Sequence, residues 1–136
     1  MARANENTDL VRERRLCQIA VAMAALVPVS AGAAGVLLGT DLTGVTAIDA
    51  SLDSHLRYLS GLLLGIGLSF WILMPHIERE KVRFRALTFL VVTGGCARLV
   101  SLATAGTPSR PMLAALVMEL VVTPLLCLWQ GRIARS

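Results

Sequence analysis

Four stretches of about the length of a membrane-spanning helix, each almost free of charge, constrain this chain more than any other feature. They run from about Leu16 to Gly39, Arg57 to Pro75, Ala86 to Ala105 and Met112 to Trp129, and a span needs roughly 20 largely apolar residues. The third contains one charge, Arg98, and the fourth contains one, Glu119. Of the 136 residues 55% are hydrophobic and only 16% charged, whereas a soluble domain carries about a quarter charged residues. A water-soluble fold would have to make its surface from core residues. The expected fold is therefore all-α, an integral membrane four-helix bundle.

The connections add its topology. His76 to Arg85 and Gly106 to Pro111 are short, so the helices they join are expected to pack antiparallel. Pro75, Pro108 and Pro111 stand at these ends, where a missing amide donor costs least. The connection from Thr40 to Ser54 is longer and acidic, with Asp41, Asp49 and Asp53. Val45, Ile48, Leu52 and Leu56 in and after it have helical spacing, which predicts a short helix lying on the membrane surface. The domain plan is a basic arm over residues 1–15, a transmembrane domain over 16–130 and a tail over 131–136.

Lys and Arg set the orientation. One side holds Arg3, Arg12, Arg14, Arg15, Arg79, Lys81, Arg83, Arg85, Arg132 and Arg135, and the other only Arg57 and Arg110. Ten against two places both termini in the cytoplasm of a multi-pass inner-membrane protein. The formal charge of +4 then marks topology and attraction to anionic headgroups, and nucleic acid is not an expected partner. Basic residues before an apolar run, with small residues from Ser30 to Gly35, also resemble a signal peptide. Three acids in the leading arm, and continuation of the apolar run through Val36, Leu37 and Leu38, favour a retained first helix.

Charge inside hydrocarbon is the strongest pointer to function, because an ionised group there costs several kcal/mol. Arg98 stands seven residues before Ala105 and Glu119 seven after Met112, which puts both roughly 10 Å below the same boundary at 1.5 Å per residue. The depth match predicts a two-toothed Arg98–Glu119 ion pair. Such a pair either fixes the register of the two helices or forms part of a site. Arg57 begins the second span beside His55, Tyr58 and Ser60. If its face points inward, Arg57, Arg98, Glu119, Tyr58, Ser101 and His55 line a small polar pocket open to the outer side. Its surplus positive charge suits an anionic or quinone-like oxygen-bearing headgroup. If not, Arg57 snorkels to the headgroups and Tyr58 anchors at the interface.

Other features read as structure. Gly61 and Gly65 form a GxxxG pattern, and Gly32, Gly35 and Gly39 give the first helix a small face, which predicts tight helix packing within the bundle. Pro28 and Pro124 fall inside spans, where Thr123 can replace part of the lost backbone bonding. Cys17, Cys96 and Cys127 form no CxxC, and His55 and His76 are the only histidines, so no metal site and no cofactor are expected. Phosphate loops, paired carboxylates and activated nucleophiles have no counterpart in the sequence.

The strings SHLRYLSGLLLGIGL at Ser54 to Leu68, GGCARLVSL at Gly94 to Leu102 and PMLAALVMELVVTPLLCLWQ at Pro111 to Gln130 resemble a bacterial family of small four-helix inner-membrane proteins known only as a domain of unknown function. His55, Arg57, Tyr58, Gly61, Arg98, Ser101, Glu119 and Pro124 carry that resemblance most specifically. It implies a four-helix membrane fold, and it implies no reaction.

The expected function is non-enzymatic: an accessory subunit, or a binder of a lipid-like, quinone-like or anionic ligand. The alternative is a subunit of a small oligomeric transporter using Glu119, and an enzyme ranks last. Expected partners are membrane lipids, together with a larger membrane complex or further copies of the chain.

Overall fold

A computed structural model describes residues 2–44 and 49–134. Among the described residues the chain is helical, with no strand. α1 spans Ala2–Leu38 and closes in a 3-10 turn, Gly39–Thr43. α2 spans Ala50–Leu73, followed by the turn Met74–His76. α3 spans Lys81–Ala105. α4 covers Arg110–Ile133 and contains a π-helical stretch, Met118–Val122. Among the described residues four helices are long and apolar enough to cross a membrane. Large apolar side chains face outward along them, with Ile72 75%, Phe89 70% and Leu128 66% exposed, an arrangement that an apolar solvent favours and water opposes.

The helices overrun the apolar stretches because backbone pairing continues past the last apolar residue. Leu52 and Leu56 belong to the opening turns of α2, whose start is capped by Asp49 accepting from the Ser51 amide at 2.8 Å. Val45 and Ile48, the other half of the expected surface helix, lie outside the described residues, as do Arg135 and Ser136 of the tail.

α1 and α2 form the most intimate pair. Asp53, Arg57, Ser60, Leu64, Gly67 and Trp71 on α2, and Met74 just after it, meet positions from Gly39, just past α1, back to Gln18 on α1. Steps of four and three alternate along that row, the spacing that keeps one seam facing a partner helix. Gly32 makes the seam possible. A Cβ there would stand 2.5 Å from the Leu64 amide nitrogen and 2.8 Å from the Ser60 carbonyl. Gly67 serves similarly against Val29, and Gly95 of α3 against Leu120 of α4. The GxxxG pair behaves otherwise: a Cβ at Gly65 would meet nothing within 4 Å, and one at Gly61 only Val36 at 3.9 Å. Those two glycines lie off the seam, so the tight packing expected of them falls to Gly32, Gly35 and Gly67.

The buried core lies at one end, here called the base. Cys17, Val21 and Ala25 of α1, Phe70 and Leu73 of α2, Ile77 and Phe84 form it, with the rings of Phe70 and Phe84 edge to face at 5.1 Å. Pro75 ends α2 there, and carbonyls of the closing turn are taken up by side chains from other elements. Gln18 donates to the Met74 carbonyl at 2.7 Å, Arg14 to Pro75 at 2.8 Å, and the fully buried Gln130 to Ile77 at 2.6 Å.

Candidate functional site

Glu119 and Arg98 meet where α3 and α4 run together at the end away from the base. The local cause lies in the fourth helix. Pro124 has no amide to donate, and the helix widens just before it. The Thr123 amide bonds back to the Met118 carbonyl, and the Thr123 hydroxyl donates to the same oxygen at 2.8 Å. Glu119 sits in the first turn of this π stretch, and Gly95 on α3 lets its Cβ and the Leu120 side chain come close. π stretches occur often at functional sites.

The contact is single-toothed rather than two-toothed. Arg98 Nε lies 3.1 Å from both carboxylate oxygens, but its one N–H is aimed at Oε1. Glu119 Oε2 is buried with no hydrogen-bond donor. The Arg98 Nη1 atom turns instead to the sulfur of Met112 at 3.0 Å, a weak acceptor. A guanidinium carries five N–H donors, so most of this one's bonding capacity is unspent. The two side chains are 37% and 15% exposed, which leaves the arginine reachable and the carboxylate mostly enclosed.

Arg57 takes a different role. It pairs with Asp53 one turn earlier at 2.7 Å and donates to the Val36 and Leu37 carbonyls at 2.6 and 3.1 Å. Those carbonyls belong to the last turn of α1, where a cation is well placed. Asp53 also accepts from the Thr40 amide at 3.0 Å and from its hydroxyl at 3.2 Å. Gly39, at φ +57°, lies against this group, where a Cβ would collide with Asp53 and Arg57. The bonds of Arg57 thus run to α1 and its own helix rather than to Arg98 and Glu119. His55, Tyr58 and Ser101 are exposed. The i,i+4 spacing of Asp53 and Arg57 is the sequence signal for this clasp. Gln18 and Gln130 carry no comparable signal, since their partners are backbone carbonyls. Among the described residues no three His, Cys, Asp or Glu side chains gather closely enough to hold a metal ion.

The model of a domain of unknown function, DUF4345, matches residues 16–130 of this sequence. The chain belongs to the DUF4345 family. The match takes in the greater part of each apolar helix, together with the Arg98–Glu119 contact and the Arg57 clasp. No curated protein and no solved structure shows significant similarity to the chain.

Proposed function

We propose that this DUF4345 protein is a non-enzymatic, multi-pass protein of the bacterial inner membrane. Its helices alternate in direction with both termini cytoplasmic, and Arg98 and Glu119 hold the polar head of a lipid-like, quinone-like or anionic ligand, or a polar group of a partner subunit. The supporting observation is the unspent bonding of the pair: a guanidinium with free N–H groups beside a buried carboxylate oxygen that has no donor. In hydrocarbon, polar groups left unsatisfied are costly, and an oxygen-bearing head that accepts from Arg98 and donates to Glu119 removes that cost. Ser101, three residues beyond Arg98 and exposed, lies on the same side of α3. Arg57, Tyr58 and His55 belong to the other pair of helices and are not required by this reading. Transport driven by Glu119 would need the carboxylate to exchange a proton free of Arg98, and the 3.1 Å contact favours binding over that alternative.

Native mass spectrometry of the protein in mild detergent tests the reading. A retained small molecule or subunit is expected on the unaltered chain and lost from Arg98→Gln and Glu119→Gln. Retention by both variants would overturn it.

A further inference from the structure

A second feature lies between α2 and α3, next to the base. A cavity of about 350 Å³ runs there, walled by Ser69, Ile72 and Leu73 on α2 and by Arg83, Ala86 and Leu90 on α3. Its walls are apolar apart from one group. The Ser69 hydroxyl is spent on the Gly65 carbonyl at 2.7 Å, and Arg83 is the one charged side chain among the described lining residues. Arg83 lies 3.2 Å from the Glu80 carboxylate, yet its side chain stays 73% exposed. Lys81 and Arg85 flank it in sequence. Seven residues separate Arg83 from Leu90, so the groove grades from cationic to apolar over roughly 10 Å of helix.

We infer that this groove binds one acyl chain of an anionic phospholipid, with its phosphate on Arg83. The lining decides the kind of occupant: its single cation, Arg83, stands at the base end, where the Phe70 and Phe84 rings join α2 and α3, and the rest of the wall is apolar, the division into charged head and apolar tail that a phospholipid carries. The charge decides among lipids: a cation at the mouth of an apolar slot selects a net negative head over a zwitterionic one. The inference takes from the proposed function only the orientation that puts Arg83 at the cytoplasmic surface, which reporter fusions test separately. The site is distinct from Arg98 and Glu119.

The experiment is native mass spectrometry of the full chain in detergent carrying equal dioleoylphosphatidylglycerol and dioleoylphosphatidylcholine, two lipids with the same acyl chains. The phosphatidylglycerol adduct is expected to exceed the phosphatidylcholine adduct about fivefold. Arg83→Gln should bring the ratio to about one, and Ala86→Phe should reduce both adducts. Arg79→Ala, a nearby cation outside the groove lining, should leave the ratio unchanged. Equal adducts on the unaltered protein, an unchanged ratio in Arg83→Gln, or the same loss in Arg79→Ala would each overturn the inference. So would oxidative dimers through Leu90→Cys, which would place a second copy in the groove. Thermal unfolding of each variant checks that the loss is local.

Discussion

Arg98 and Arg57 are the same residue type near the same end of the molecule, and their surroundings give them opposite characters. Arg57 is saturated: a carboxylate one turn away and two helix-end carbonyls take up its donors. Arg98 has one carboxylate oxygen and a sulfur. Replacing Glu119 with Gln should therefore cost stability, by about 2 kcal/mol on membrane-insertion scales for a charge stripped of its partner. Denaturant titration in micelles would measure it. The double variant Arg98→Glu, Glu119→Arg should regain most of the loss, and a double variant no more stable than either single one would contradict the pairing. The meeting of these two residues is legible from sequence because both stand the same number of residues from a shared helix end. The bond's geometry is not, because it depends on a backbone widening created by Pro124 and Thr123. Asp53 shows the complementary lesson. Its spacing from Arg57 is plain, but the spacing gains meaning only once α2 begins at Ala50.

At the scale of elements, the two helix pairs are built differently. α1 and α2 share a long seam of alternating steps, closed by glycines at points of backbone contact. Gly32→Ala places a Cβ against the Leu64 and Ser60 backbone, which cannot turn aside as a side chain does. It should lower stability by about 1–3 kcal/mol. Gly65→Ala enters open space on a helix and should be neutral or stabilising by up to about 1 kcal/mol. Paired melting curves would settle the contrast, and equal effects would show that the seam is misassigned. A GxxxG pattern in sequence announces that a helix has a small face, but which neighbour occupies that face depends on the rotation of the whole helix. Here the rotation favours Ser60, Leu64 and Gly67 over Gly61 and Gly65. Helix number was easier to read, since charge-free length alone decides it.

For the whole molecule, the proposed orientation predicts that reporter fusions at Ser109 and at the carboxyl end report opposite sides of the membrane. Agreement between them would refute it. The bundle's uneven packing was not legible beforehand: its buried core collects at the base, where Gln18, Arg14 and Gln130 reach for carbonyls freed around Pro75. That arrangement has a consequence for biogenesis. The α1–α2 seam, including the Arg57 clasp and the Gln18 and Arg14 bonds, draws entirely on residues synthesised before α3. The hairpin is thus complete as soon as Pro75 has emerged. The Ile77 carbonyl waits for Gln130, in the last turn of α4. Assembly then proceeds as a finished hairpin followed by a latch, and nascent chains halted before Gln130 are the ones that a membrane quality-control protease should recognise as open.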